Sequence, residues 1–122
     1  MSFATTLNEL MEGAGALAAL LMGSDGLPVE EVYAGRLGSA QSEHIGNAGV
    51  ELGRLLEEVR KASDSFAGGK VREVSIGLEQ CWMLVRPVDE DLFLVLVLAP
   101  DAGAGKARFL MRRHLPALRA EL

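Results

Sequence analysis

The sequence has few of the residues that cross-link a small domain or anchor it in a membrane. Its one cysteine, Cys81, has no disulfide partner within the chain and lies in an apolar stretch, so we expect a buried thiol in a reducing compartment. No apolar run approaches the roughly 20 residues that span a bilayer, and no basic segment followed by an apolar one marks a secretion signal. The sequence therefore predicts a cytoplasmic protein without membrane insertion.

Positive charge is scarce as well. The 122 residues include 12 Lys and Arg against 17 Asp and Glu, a net charge of −5. Domains that bind nucleic acid need a concentrated positive surface, so we expect no nucleic-acid partner. The deficit is uneven, because five cations and two carboxylates give residues 101–122 a net charge of +3 and leave −8 for residues 1–100. This basic C-terminal segment is either a solvated helix face or a docking surface.

Signatures of catalysis and of cofactor or metal binding are missing. Ala102–Lys106 resembles a phosphate-binding loop, but Pro100 stands where that loop needs a glycine and Ala107 stands where it needs Ser or Thr. His44 and His114 lie on different predicted helices, without further ligands at metal-binding spacing. Ser39, Ser42, Ser63 and Ser65 occur in capping or helix-end contexts rather than in a nucleophile elbow. We therefore expect no enzymatic activity, no cofactor and no metal.

Five apolar or alternating segments predict a sheet. Leu92–Ala99 and Ala16–Met22 are apolar throughout, as expected for strands covered on both faces. Leu27–Ala34 contains a proline and two adjacent glutamates, which is typical of an edge strand, and Val71–Glu79 alternates apolar with polar residues. With a further strand at Cys81–Val88, these segments predict one five-stranded antiparallel sheet. The strands at 16–22 and 92–99 lie inside it, and those at 27–34 and 71–79 form its rims.

Helices are predicted on both faces of this sheet. A capping box at Thr6–Glu9 indicates a short first helix that ends at Gly13. A long helix begins near Ser42 and ends at Gly68, and Asp101 is the expected cap of an amphipathic C-terminal helix. The long helix should cover one face and the two terminal helices the other. The fold class is thus an α+β sandwich in a single domain, residues 1–122, with element order αββαβββα.

A stripe of small residues runs along the long helix beside its apolar seam. Each glycine in a helix costs about 1 kcal/mol relative to alanine, so a cluster of them needs a reason, and close approach of another backbone is the usual one. The alternative is that the glycines merely tolerate exposure. An unprotected rim strand at 71–79 is an aggregation hazard that self-pairing about a twofold axis near Ser75 would remove. The predicted dimer interface consists of Gly46, Gly49, Gly53 and Leu56, which we call the small-residue stripe, together with Glu73, Ser75 and Gly77.

The predicted order of elements occurs together with four short motifs: Gly13–Ala16, the turn Ser24–Pro28, Gly68-Gly69 at the end of the long helix and Gly105–Arg108 at the start of the last. This ordered set resembles the Roadblock family of dynein light-chain-like proteins. The resemblance covers roughly residues 3–119. It implies a profilin-like fold, a dimer whose long helices pair and whose rim strands join into one continuous sheet, and binding of a small Ras-like GTPase, as in bacterial gliding-motility and polarity regulators.

Three functions compete at this point. The first is a non-catalytic homodimer that binds a small Ras-like GTPase and modulates its nucleotide cycle. The second is a structural scaffold subunit of a signalling or motor complex without effect on GTP hydrolysis. The third is a PAS- or GAF-like small-ligand sensor, which the sequence disfavours because the interior strands offer almost no polar groups to line a cavity.

Contacts with the GTPase are expected on two parts of the chain. The outer polar residues of the long helix would fix the register of two protein surfaces by charge complementarity, which is the mechanism we favour. Arg36 is flanked by glycines in the linker before the long helix, where it is either a solvated loop residue or an arginine inserted to stabilise the transferring phosphoryl group. The expected contact residues are Arg36, Glu51, Arg54, Glu58 and Lys61.

Overall fold

In residues 2–122, which the computed structural model of the chain describes, five strands form one antiparallel sheet with helices on both faces. The α+β class and the order αββαβββα are confirmed, except that the long helix is divided in two. The elements are α1 (Phe3–Ala14), β1 (Ala18–Gly23), β2 (Pro28–Tyr33), α2 (Ser39–Asn47), α3 (Gly49–Asp64), β3 (Val74–Gly77), β4 (Trp82–Pro87), β5 (Leu92–Leu98) and α4 (Ala104–Ala120).

The strand order β2-β1-β5-β4-β3 places the two apolar strands inside the sheet and the two charged strands at its rims. β1 pairs with β5 along its whole length, from Ala18 opposite Val97 to Gly23 opposite Leu92. Inner strands of a sheet with two covered faces need apolar side chains on both sides, and both strands are buried almost throughout. The predicted centres and edges are therefore confirmed.

Alternate residues of β5 enter two separate cores. Leu94, Leu96 and Leu98 pack with buried residues of α1 and α4. On the opposite face, Val95 and Val97 pack under Leu52 and Leu56 of α3. Burial of a side chain of this size stabilises the folded state by about 1.5–3 kcal/mol. The same strand therefore holds both helix layers, α1 with α4 and α3, against the sheet. The predicted distribution of helices over the two faces is confirmed.

The predicted long helix is broken at Ala48. α2 ends before this residue and α3 begins after it, and Ala48 serves as the cap of both with φ −72° and ψ −12°. Gly46 and Gly49 flank the break, and glycine is the weakest helix former apart from proline. The spacing of apolar residues continues across the break, which is why the sequence predicts one continuous helix there.

Two predicted helix caps are replaced by nearby residues. Ser2 rather than Thr6 caps α1, because its Oγ accepts a hydrogen bond from the backbone N–H of Thr5 at 3.2 Å. Thr6 is buried, and its Oγ1 has no hydrogen-bond partner among residues 2–122. Gly103 rather than Asp101 is the cap of α4. Several polar or small residues compete for the first turn of each helix, so the pattern locates a helix better than its first residue.

Candidate interaction surface

The small-residue stripe packs against the turn between β1 and β2 of its own chain. A Cβ atom at Gly49 would overlap the carbonyl oxygen of Gly26 and lie 2.6 Å from Sδ of Met22. A Cβ atom at Gly53 would lie 2.9 Å from the carbonyl oxygen of Ser24. Real Cβ atoms essentially never come closer than 3.0 Å to a neighbour, so only glycine fits here without a shift. The close backbone approach that the sequence indicates is thus made within the chain.

The other two members of the stripe also face inward. Leu56 is 2% exposed in the core under α3. A Cβ atom at Gly46 would lie 3.4 Å from Oη of Tyr33 and from Oε2 of Glu31. The assignment of the four stripe residues to a dimer interface stays a prediction, since these contacts are those of a single chain. They seat the two middle helices on the β1–β2 hairpin; Gly49 and Leu56 are buried, whereas Gly46 and Gly53 are half-buried.

The rim strand β3 is shorter than predicted, and its polar side chains are held by α4. It covers residues 74–77 rather than 71–79 and, in the described part of the chain, pairs with β4 alone. Nε of Arg108 donates to Oε2 of Glu73 at 2.9 Å, and its Nη2 donates to Oγ of Ser75 at 2.7 Å. A Cβ atom at Gly77 would lie 2.9 Å from the ring of Trp82. The outer edge of β3 therefore stays open while the side chains beside it are fixed.

The outer side of α3 carries a row of ion pairs. Glu51 pairs with Arg54 at 2.9 Å, and Glu58 pairs with Lys61 at 3.3 Å, with all four side chains between 65% and 74% exposed. At about 100° per residue, these positions fall within an arc of about 80°. The structure therefore brings the four predicted helix residues together on one face. Exposed pairs of this spacing stabilise a helix by only about 0.3–0.5 kcal/mol each, so their main effect is the charge pattern that they present.

Apolar side chains lie beside this row. Leu55 is 38% exposed within α3, and Phe66, just beyond the helix, is 72% exposed. Leu55 lies next to Glu51 and Glu58 on the helix surface, at the edge of the charged row. Apolar and charged side chains also lie side by side where proteins bind each other. We call the following residues the α3 outer face: Glu51, Arg54, Leu55, Glu58 and Lys61.

Arg36 lies apart from the α3 outer face and is tied to its own chain. It follows β2 in the linker to α2, and its Nη2 donates to the carbonyl oxygen of Gly15 at 3.1 Å. Gly15 is the C-cap of α1, so this hydrogen bond joins two loops. An arginine that enters another protein's active site must first give up such a bond. The structure thus does not bring Arg36 together with the four predicted helix residues.

A hydroxyl–carboxylate pair on β2 was not foreseen from the sequence. Oη of Tyr33 donates to Oε2 of Glu31 at 3.1 Å. Burial raises the pKa of Tyr33 to about 12, and the charge of Glu31 and the hydrogen bond to it act in the same direction. Both residues line a surface cavity of about 370 Å³ between β2 and α2. Their spacing of two, which puts both side chains on one face of a strand, is the signal that would have found them.

Reactive groups are sparse in the structure. Among residues 2–122, no three His, Cys, Asp or Glu side chains are grouped so that they could hold a metal ion. Cys81 is a free, half-buried thiol, and burial raises its pKa, which disfavours the nucleophilic thiolate. Over the same described residues, no helix is both long and apolar enough to cross a membrane.

Comparisons with known proteins rest on solved structures, because no protein-family model and no curated protein sequence matches the chain. MglC from Myxococcus xanthus is 36% identical, with 100% of both chains covered and a TM-score of 0.70. A Roadblock/LC7 domain from Streptomyces avermitilis is 20% identical over 98% of this chain and 97% of that one, with a TM-score of 0.81. The gliding protein MglB from Thermus thermophilus is 20% identical over 93% and 83% of the two chains, with a TM-score of 0.83. The last two share the fold, and the first shares over a third of its residues as well.

Proposed function

The chain belongs to the Roadblock family, and on that basis we propose that it is a non-catalytic homodimer that binds a small Ras-like GTPase and modulates its nucleotide cycle. MglB, which has the same fold, is a gliding protein, so gliding motility is the process in which we place this regulator. The α3 outer face carries the proposal. It combines an exposed leucine with ordered charges on a helix whose other side is fixed to the sheet.

The proposed mechanism is positioning of the GTPase's own groups. The row Glu51, Arg54, Glu58 and Lys61 alternates in sign, and such a pattern matches a partner surface in one register. Arg36 is hydrogen-bonded to the carbonyl of Gly15 and lies outside this row, which makes it a poor candidate for insertion next to a phosphoryl group. Binding through α3 therefore acts by orienting the GTPase rather than by donating a catalytic side chain.

Charge-reversed variants test this surface with the Ras-like GTPase encoded nearest in the genome. Arg54→Glu is expected to weaken association by about tenfold, because it removes an attractive charge and adds a repulsive one. The matched control is the swap Glu51→Arg with Arg54→Glu, which restores the ion pair within the helix and the net charge but reverses the pattern. Titration calorimetry or fluorescence anisotropy measures the affinity of each variant for the GTPase.

The two variants separate recognition from helix stability. If the partner recognises the charge pattern, the swap binds as weakly as Arg54→Glu. Full recovery of affinity for the GTPase in the swap would show that α3 matters only through its own stability, and would contradict the proposal.

Arg36→Ala tests the mechanism and should leave stimulated GTP turnover within a few-fold of the parent. A loss of about 10³ in turnover with intact binding is the magnitude of a missing inserted arginine and would refute positioning.

Self-association is proposed through the open edge of β3. Ser75→Asp keeps Arg108 as a favourable neighbour within the chain but also meets Glu73, whose Oε2 accepts a hydrogen bond from Ser75 at 3.1 Å, so circular dichroism must first show that the variant is folded. The substitution places two carboxylates opposite each other across the proposed twofold axis. We expect it to shift the protein toward a folded monomer, as measured by light scattering, whereas the neutral variant Ser75→Asn should remain dimeric. A parent protein that is monomeric at tens of micromolar would exclude the dimer.

A further inference from the structure

The basic C-terminal segment forms α4, whose cations fall into two groups. Two of them are held by the rest of the chain, because Nε of Arg108 donates to Oε2 of Glu73 at 2.9 Å and Nε of Arg119 donates to the carbonyl oxygen of Val88 at 3.0 Å. The others are exposed and form no ion pair with another of residues 2–122. These exposed cations are Lys106, Arg112 and Arg113.

An exposed aromatic side chain lies among the three exposed cations. Phe109 is 52% exposed on the side of α4 that faces away from the core. Lys106 lies three residues before it, and Arg112 and Arg113 lie three and four residues after it. Residues at these spacings are neighbours on a helix surface, so the cations surround the ring of Phe109. We call the following residues the α4 outer face: Lys106, Phe109, Arg112 and Arg113.

The charge of this face is not balanced within its helix, in contrast to that of α3. Residues 104–120 include no Asp or Glu. On α3, by comparison, each of the three cations pairs with a glutamate three positions before it, at 2.9–3.7 Å. A solvated helix face normally mixes charges of both signs, as α3 does. The single sign of the α4 outer face therefore favours an anionic partner over solvent alone.

One of these cations also works against the stability of its own helix. Lys106 lies in the first turn of α4, which has no acidic residue. The helix dipole is positive at this end, so a cation there is unfavourable. Residues that break a local rule of stability without a compensating contact are expected where a protein binds something.

The surroundings of α4 favour a protein over a membrane as the anionic partner. α1 lies beside α4, since a Cβ atom at Gly13 would lie 3.4 Å from Leu110. Glu9 and Glu12 are exposed on α1. A flat bilayer of anionic lipids that reached Phe109 would also approach these carboxylates and be repelled by them, whereas a protein surface can cover α4 alone.

We propose that the α4 outer face docks an acidic surface of a partner protein, in which Asp and Glu side chains surround an apolar contact for Phe109. The carboxylates accept hydrogen bonds from Arg112 and Arg113, and Phe and Arg are both enriched where proteins bind each other. This surface is separate from the α3 outer face, because α3 and α4 cover opposite faces of the sheet. The proposal stands whether or not a GTPase binds to α3.

The charge of the α4 outer face is tested with a fluorescently labelled peptide of glutamates with interspersed leucines. Anisotropy measures its binding to the full chain, which should weaken as salt is added. We expect Arg113→Gln to weaken binding about threefold to tenfold at low salt. The matched control is Arg60→Gln, which removes the same charge from α3 and should weaken binding less than twofold.

Phe109→Ala tests the apolar contact, with an oligoglutamate peptide as the second probe. The variant should bind the leucine-containing peptide about tenfold more weakly, because the peptide's leucines lose their contact with the ring. Its affinity for oligoglutamate should change less than twofold, since all the charges remain. The side chain of Phe109 is exposed, so its truncation leaves the core intact.

Other outcomes contradict the proposal. Equal weakening by Arg113→Gln and Arg60→Gln would show attraction to the net charge of the chain, and unchanged binding in Phe109→Ala would remove the ring from the contact. No binding of the leucine-containing peptide at low salt would exclude an acidic protein surface. Binding of phosphatidylglycerol vesicles without binding of the peptide would assign the face to a membrane. Self-association that Arg113→Gln abolishes would assign it to a second copy, whose residues 1–100 carry a net charge of −8.

Discussion

Gly49→Ala should destabilise the protein, although alanine is normally the better helix residue by about 1 kcal/mol. The added methyl group would overlap the carbonyl oxygen of Gly26 and lie 2.6 Å from Sδ of Met22. Overpacking of this kind costs about 1–3 kcal/mol, and the backbone oxygen of a tight turn has little freedom to move away. After subtraction of the gain in helix propensity, we expect a net loss of up to about 2 kcal/mol.

Other glycines of the chain form a graded control series. A Cβ atom at Gly105, in the first turn of α4, would meet nothing within 4 Å, so Gly105→Ala should stabilise by about 0.4–1 kcal/mol. Gly46→Ala would make contacts of 3.4 Å and should be near neutral. Gly53→Ala would lie 2.9 Å from a backbone oxygen and should cost stability. From the most to the least stable variant, the expected order is Gly105→Ala, Gly46→Ala, Gly53→Ala and Gly49→Ala.

Urea unfolding at one fixed protein concentration measures this order, because the shift in midpoint at constant slope gives the change in unfolding free energy. Concentration must be fixed, since association with a second copy adds to the apparent stability. A Gly49→Ala variant as stable as Gly105→Ala would refute the close packing of α3 on the hairpin. A loss that vanishes on dilution would show that Gly49 contacts a second copy instead.

Three further results are expected. Tyr33 is the one tyrosine of the chain, so its phenolate absorbance should titrate near pH 12 in the folded protein, and Glu31→Gln should lower this midpoint. Because the pKa of Tyr33 in the folded protein lies above the ordinary 10.0, the neutral phenol of Tyr33 stabilises the fold. This stabilisation is complete below about pH 10 and is lost as the pH rises through 12. A Tyr33→Phe variant should not lose stability in this way. Thr6→Val should raise the unfolding free energy by about 1 kcal/mol, since it removes a buried hydroxyl without a partner among the described residues. Arg108→Gln should speed hydrogen exchange of β3 relative to β1, because it removes the two hydrogen bonds that hold this rim to α4.

The sheet could be predicted because its signals are local. The apolar run of β5 predicts a strand with two covered faces, and the glutamates of β2 indicate a rim; both are confirmed by the strand order. The division of helices between the faces then follows from the amphipathic pattern of each helix. Helix ends were less well predicted, as Ser2 and Gly103 show, since several residues near each end satisfy the same capping preference.

The partners of individual side chains could not be predicted in this way. The glycines at 46, 49 and 53 indicate that something approaches α2 and α3 closely, but their spacing is the same whether the neighbour is a second helix or the hairpin of the same chain. The hydrogen bonds from Arg108 to Glu73 and to Ser75 are likewise invisible in the sequence, because they join residues 35 and 33 positions apart. Sequence spacing locates faces of single elements, and tertiary structure decides which faces meet.

The attachment of α3 to a sheet that is packed on both faces has a consequence for binding at two places. The proposed GTPase surface lies on α3 and the proposed contact with a second copy lies on the edge of β3. A close-packed interior resists the small shifts by which occupancy at one place would alter affinity at the other. The GTPase and the second copy should therefore bind with nearly independent affinities. In the proposed dimer, two GTPases would be held within the dimensions of two domains, and this would raise the local concentration of each around the other.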